Sequence, residues 1–302
     1  MLKTSSTIII LKNNISFIIP CYNCADTIDE CIQSVINTNL QDNDEIILVD
    51  DSSTDNTNSR LLYYKEKYDF VKLLKHNINK GTAAAGRNTG IDQAENELIF
   101  CLDSDNVLKD YSIKPLKHFL LDNDLDAAAF GEIEFFSESV LKVTSKWILD
   151  KELNFVDALN QPMKTPCGSG NFLYKKSIWK RVGRYNESLG GAYDSEIFGL
   201  RLLAEGAKFR TLTGTSYLHR NGYESTFIRD YEKRNSSLLF LAGLIEYWDQ
   251  IHEDDLDYIF CTARRKWMDD IEHRPLRRKD AIVKKSLYKK ILRKVANKIS
   301  RL

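Results

Sequence analysis

The chain has 302 residues, of which 43% are apolar and 28% charged, an ordinary globular composition that excludes a disordered, collagen-like or low-complexity protein. Lysine and arginine together number 43, as do aspartate and glutamate, and a net charge of zero argues against a chain built around nucleic acid. The balance is nevertheless uneven. The segment His273–Leu302 holds 12 basic residues and a single acid, so an acidic body precedes a strongly basic tail.

The apolar stretch Ile8–Leu11 is interrupted by Lys12, Asn13 and Asn14 and is not followed by a small-residue cleavage site. It reads as a strand and not as a signal peptide. The longest apolar run, Leu238–Ile245, has eight residues, where a membrane-spanning helix needs about 20. The six cysteines are scattered. Cys21-x-x-Cys24 lacks an accompanying histidine cluster, so neutral thiols in a reducing compartment are expected.

In chain order, Ile15–Ile19, Glu45–Val49, Val71–Leu74 and Leu98–Leu102 are short runs of strand length rich in Ile, Val and Leu. Between them lie helical patterns: Ile28, Ile32, Val35 and Ile36 form one face, Leu61, Leu62 and Tyr68 suggest the next, and an Ala-rich run ends at Ala94. Strands alternating with helices of this length predict right-handed βαβ units and a mostly parallel sheet. Ligands of such sheets bind outside the carboxyl ends of the strands. There the sequence places three polar clusters: Pro20-Cys21-Tyr22-Asn23, Asp50-Asp51-Ser52-Ser53-Thr54-Asp55 and Asp103-Ser104-Asp105-Asn106. Any one of these is compatible with turns and helix caps, and Asp55 or Thr54 has that reading open. Three on one sheet edge predict a basic ligand or a divalent cation. If Asp103–Asp105 is extended, Asp103 and Asp105 share a face and Ser104 turns away, an arrangement suited to Mg²⁺ or Mn²⁺.

The consecutive segments ISFIIPCYN, EIILVDDSSTDNT, NKGTAAAGRNTGI and LIFCLDSDN resemble the signatures of family 2 glycosyltransferases. The likeness continues through CGSGNFLYKKSIWKRVGRYNESLGGAYDSEIFGLRLLAEGAKF and HRNGYEST, and covers roughly Ile15–Phe227. The resemblance implies a GT-A fold: a Rossmann-like α/β domain around a mostly parallel sheet, spanning residues 1–226. Residues 227–302 would form a helical C-terminal extension. It also implies inverting transfer of a sugar from a nucleotide diphosphate, usually UDP, with Mn²⁺ or Mg²⁺, onto a glycan or lipid-linked acceptor of surface polysaccharide synthesis.

Carried onto this chain, the resemblance places Tyr22 against the base, with a backbone contact from Pro20 and a hydrogen bond from Asp51. Asp50 either joins that site or braces its loop. Arg87, Asp103 and Ser104 would complete the nucleotide-sugar contacts, Arg87 having a structural salt bridge as its other reading. Asp103, Asp105 and His219 would hold the metal or the diphosphate, with Arg220 adding charge. Asp194 would be the general base, although it also stands where a helix N-cap is expected, and Tyr193 occupies the place of the family's usual Glu. Gly170, in the loop Gly168–Asn171, and Glu196 fall on the acceptor side. Trp147 and Trp179 are sugar platforms or core residues.

Two rival readings remain open, a sugar-phosphate nucleotidyltransferase and a non-catalytic nucleotide-sugar-binding scaffold. From Ala281 onward, Val283, Leu287, Ile291, Leu292, Val295 and Ile299 recur at helical spacing among lysines and arginines. This basic amphipathic tail, residues 281–302, predicts either peripheral attachment to an anionic membrane on its cytoplasmic face or docking on the acidic body.

Overall fold

The computed structural model describes residues 13–189, 193–221 and 236–252. The Ile8–Leu11 stretch, most of the segment after Arg220 and the basic tail lie outside them. Among the described residues no helix is long and apolar enough to cross a membrane.

The four expected strands form β1 (Ile15–Cys21), β2 (Glu45–Asp50), β3 (Val71–Lys75) and β4 (Leu98–Cys101). They lie parallel in the order β3-β2-β1-β4, with Phe17 of β1 paired to Ile46 on one side and Phe100 on the other. The crossovers contain α1 (Ile28–Asn37), α2 (Thr57–Lys67) and α3 (Ala83–Gln93). Strand alternation divides the core between two faces. Phe17, Ile46 and Phe100 pack with Ile28, Ile32 and Val35 of α1. Ile18, Ile47 and Ile99 pack with Ala84 and Ile91 of α3. The glycines of α3 set how closely it approaches: a Cβ at Gly86 would stand 2.9 Å from Cβ of Pro20, and one at Gly90 2.5 Å from Cγ2 of Ile18.

Beyond β4 the sheet becomes mixed. After α4 (Ile113–Asp122) come β5 (Ala127–Phe136) and β6 (Val143–Ile148), then α5 (Phe155–Asn160), β7 (Leu173–Lys175), α6 (Lys176–Arg181), α7 (Asp194–Ala204), β8 (Phe209–Arg220) and α8 (Ser236–Gly243). β7 is antiparallel between β4 and β5, and β6 is antiparallel to the far half of β5. β8 runs parallel along the other edge of β5, with a register shift between Phe130 and Glu132. It extends well beyond the Thr215–Leu218 core visible in the sequence, because its exposed middle, around Thr213 and Gly214, carries no apolar alternation. Val107 and Leu218 exchange backbone hydrogen bonds, both 2.9 Å, which fastens the loop after β4 to the end of β8. The five described cysteines are buried free thiols.

Candidate functional site

The three polar clusters meet at the carboxyl ends of β1, β2 and β4. Asn23, in the left-handed region at φ 48°, accepts the backbone N–H of Thr54 at 2.8 Å and donates its own N–H to Ser53 Oγ at 3.1 Å. This stitches the first two loops together and leaves Tyr22 45% exposed, its ring open to a flat partner. Half-buried Pro20 faces Gly86 beneath it. Asp50 takes the bracing role, accepting from Ser53 N at 2.9 Å and Asn58 Nδ2 at 3.1 Å. Asp55 also serves the loops, accepting from Thr57 N at 2.9 Å and Ala25 N at 3.2 Å.

Asp51 is buried and holds the next loop. Its carboxylate accepts the backbone N–H groups of Lys80, at 2.8 Å, and Gly81, at 3.1 Å, and lies 2.6 Å from His76 Nδ1. His76 in turn reaches Thr89 Oγ1 at 2.9 Å. Any contact of Asp51 with a base is therefore made by a carboxylate already fixed in place. The alternation of β3 gives no hint of His76, whose role arises only when β2 and β3 lie side by side.

Asp103–Asn106 is a turn closed by Asn106 N to Asp103 O at 3.0 Å, and not the extended segment expected from the sequence. The two carboxylates still come into electrostatic contact, through the turn instead of strand alternation. Burial, and then the charge of Asp103, push Asp105 up to about 7, with Arg220 opposing. The backbone carbonyl of Ser104 accepts from Thr27 Oγ1 at 3.0 Å.

Arg87 connects the two halves of the site. Its Nη1 lies 2.6 Å from Oδ2 of Asp194 and its Nη2 2.5 Å from Oδ1 of Asp103. Burial works against its charge, but Asp194 and Asp103 hold it well above its ordinary value. Its buried Nε meets no acceptor among the described residues. The salt-bridge reading of Arg87 is thus realised. Asn88 fixes the wall beside it, donating to Tyr185 O at 2.9 Å and Glu187 Oε1 at 2.8 Å. Trp179 donates to Asn88 Oδ1 at 3.2 Å from the core, which removes it as a sugar platform. Trp147, on β6, is half-buried edge-on against Phe135.

Asp194 opens α7 and is buried. The N-cap itself is Tyr193, but Asp194 Oδ1 accepts the neighbouring Ser195 N–H at 2.8 Å, so it contributes to the helix start as well. Burial raises its pKa, Arg87 opposes and Asp103 adds to the rise. A desolvated carboxylate of this kind is a stronger base than a surface aspartate. Gly170, at φ +70°, lets its loop close on α7, since a Cβ there would stand 2.5 Å from Ser195 Oγ. Next to it, Asn171 receives the Asp103 N–H at 3.0 Å on Oδ1 and donates Nδ2 toward Asp103 Oδ2 at 3.3 Å. Glu196 is buried on the same helix turn, within electrostatic range of Cys167. Asn171, Asn106 and Tyr217 are site residues that sequence reasoning did not single out; the Gly168–Asn171 loop was the signal for the first.

His219 lies beside the Asp103 turn, its Nδ1 3.2 Å from both Asn106 Nδ2 and Tyr217 Oη. Burial lowers its pKa against the pull of Asp103. Arg220 is turned into the protein: Nε donates to Asp105 O at 3.1 Å, Nη1 to Ser137 O at 2.9 Å, and Nη2 pairs with Glu30. It offers charge to a diphosphate and not the direct hydrogen bonds that a free guanidinium would.

Three or more His, Cys, Asp or Glu side chains are nowhere gathered into a metal-holding cluster among the described residues. Asp103 and Asp105 remain as a pair, which fits a Mg²⁺-type ion that takes one or two carboxylates and completes its shell with phosphates and water.

The Glycosyl transferase family 2 profile matches residues 16–182, across β1 to the end of α6. The chain belongs to this glycosyltransferase family. A poly(ribitol-phosphate) beta-N-acetylglucosaminyltransferase, TarP of Staphylococcus aureus, is 34% identical over 290 residues, covering 85% of each chain. A poly(ribitol-phosphate) beta-glucosyltransferase of Bacillus spizizenii is 38% identical over 113 residues, a match that spans only 18% of that longer protein. Among solved structures, S. aureus TarS 1–349 in complex with UDP-GlcNAc superposes with a TM-score of 0.64 at 18% identity, over 84% of this chain and 73% of the other. The GT-A fold is thereby established, and family membership sets aside the nucleotidyltransferase alternative.

Proposed function

We propose that this glycosyltransferase moves N-acetylglucosamine, with inversion, from UDP to a hydroxyl of a polyol-phosphate surface polymer. A relative whose name specifies a beta-N-acetylglucosaminyl product on poly(ribitol-phosphate), matched over 85% of both chains, supports the donor and acceptor class. A β product from an α-linked nucleotide sugar requires inversion, hence a single displacement with a base on the acceptor side.

The observation that carries the reading is Arg87 holding Asp103 and Asp194, residues 107 positions or fewer from it, in one buried constellation. Tyr22 stacks on the uracil, and Asp51 presents its fixed carboxylate beside it. Arg87 keeps Asp194 oriented and ionised. Asp194 then takes the proton from the attacking hydroxyl, on the face opposite the departing nucleotide. Asp103 and Asp105 would hold Mn²⁺ or Mg²⁺, which when bound would neutralise the charge that develops on the diphosphate. The basic tail would keep the enzyme at the cytoplasmic face of a membrane, near its polymer.

The test is release of UDP from UDP-N-acetylglucosamine, with poly(ribitol phosphate) as acceptor, with and without divalent cation. Cation-dependent UDP release and a β-linked product are expected. Pyrophosphate release, or nucleotide binding without turnover of any UDP-, GDP- or dTDP-sugar, would sink the proposal. Loss of anionic-liposome binding after removal of residues 280–302, with donor hydrolysis spared, is the separate check on the membrane location.

A further inference from the structure

Asp194 is the first residue of its helix, and helix ends fray unless something outside the helix holds them. α7 does little to secure its own start. Its N-cap is Tyr193, not one of the small polar residues that cap best, and the Tyr193 side chain makes no cap hydrogen bond. The first turn is nevertheless enclosed. Asp194 meets Arg87, and Ser195 closes on Gly170. Tyr193, only 3% exposed, sets its ring edge-on against the buried ring of Phe240, with centroids 5.3 Å apart and planes at 69°.

Phe240 belongs to α8, which follows the last strand. α8 and the 3₁₀ turn after it, Ile245–Gln250, reach from one end of α7 to the other. Phe240, Leu244 and Trp248 share one buried core with Ile197 and Leu200 of α7. At the far end Tyr247 interacts with the side chains of Arg201 and Glu205. Gln250 Nε2 donates at 3.1 Å to the backbone oxygen of Ala204, the last residue of α7. The segment thus grips α7 at both ends, which fixes the helix along its axis as well as against the sheet.

We propose that residues 236–252 are a strap that holds α7 in register with Arg87, and that Phe240, acting through Tyr193, is a positioning residue for Asp194. The role of Asp194 as base rests on the glycosyl-transfer reading; the mechanical link does not. Tyr193 O accepts the Ile197 N–H at 2.9 Å, so Tyr193 is the first backbone anchor of the helix. A shift of its ring moves the first turn and draws Asp194 Oδ2 from its place 2.6 Å from Arg87 Nη1. Misplacing a reacting group by about 1 Å costs up to about 10²-fold in rate. Donor affinity should be spared, because Asp51 is held by His76, Lys80 and Gly81 in the loops after β2 and β3.

The experiment compares variants of the full chain, each read for UDP affinity by calorimetry and for transfer at saturating donor. Phe240→Leu keeps an apolar side chain but removes the ring at Tyr193. Its kcat should fall about 10–100-fold, with UDP affinity and the donor KM within about twofold of wild type. Tyr193→Leu should behave alike, and the double variant should be no worse than either single one, as for two residues acting through one contact. The stability control is Leu120→Ala, in the other buried core on α4; it should lower Tm at least as far and leave kcat near wild type. Amide exchange at Ile197 should quicken in Phe240→Leu, a readout that needs no turnover. Wild-type kcat in Phe240→Leu, or a loss that UDP affinity or Leu120→Ala matches, overturns the positioning role. Unchanged exchange at Ile197 overturns the strap whatever the turnover. Quickened exchange in a protein whose wild type transfers no sugar overturns the glycosyl-transfer reading and leaves the strap standing.

Discussion

The two carboxylates held by Arg87 sit in different surroundings. The Asp103 side chain is 28% exposed, at the end of a parallel strand flanked by local crossovers, whereas that of Asp194 is 6% exposed, on a helix reached through the mixed half of the sheet. The nucleotide half is built from neighbouring βαβ units whose loops stitch to one another. The acceptor half depends on partners far away in sequence: Gly170 against Ser195, and Asn171 against Asp103. On the proposed function, the more exposed Asp103 suits exchange of a cation and a nucleotide. A dry one suits proton abstraction. One arginine couples the two halves, so it is where they can be taken apart.

Arg87→Leu should have the largest effect. It leaves two carboxylates without their cation, costing roughly 3–5 kcal/mol, and turnover should fall below detection; urea unfolding and donor turnover measure both. If stability holds and only nucleotide affinity falls, Arg87 belongs to the donor half alone. Asp194→Asn sharpens the division from the other side. Transfer should drop by about 10²–10⁴-fold, the usual contribution of a general base, while UDP affinity stays close to wild type. Parallel loss of both would place Asp194 in the nucleotide half.

Tyr22→Ala should do the reverse, weakening UDP by about 1–3 kcal/mol of stacking with little change in the rate at saturating donor. The smallest effect is expected for Asp105→Asn in the metal-free protein, read as a gain of a few degrees in Tm. The sign follows from the raised pKa of about 7. A carboxyl group harder to ionise in the folded state penalises folding once it is charged. The gain of the Asn variant is therefore full above pH 7 and fades as pH falls toward 4, the unfolded value. A gain that grows on acidification would mean that Asp105 is paired and not stranded.

Periodicity made the nucleotide half legible because its strands are buried on both faces and separated by helices, so each element announces itself locally. β5 gave no such signal: Ala127-Ala128-Ala129 is as suited to a helix, and only pairing with β7 and β8 makes it a strand. The Asp103–Asp105 pair was recognised from strand alternation, yet a turn is what brings it together. The Gly-rich run around Arg87 carries two glycines whose requirement is close packing of α3 on β1.

From the sequence alone follow the family, the parallel core, the polar strand ends and the residue types proposed for the chemistry, since each is written in short stretches of side chains. Only the tertiary structure decided that Arg87 joins Asp103 to Asp194, that Arg220 turns inward to Glu30, and that Asn106 and Tyr217 both contact Nδ1 of His219. Those outcomes depend on the direction of individual donors and acceptors between segments up to 190 residues apart, and hydrogen bonds over that separation leave no periodic trace in the chain.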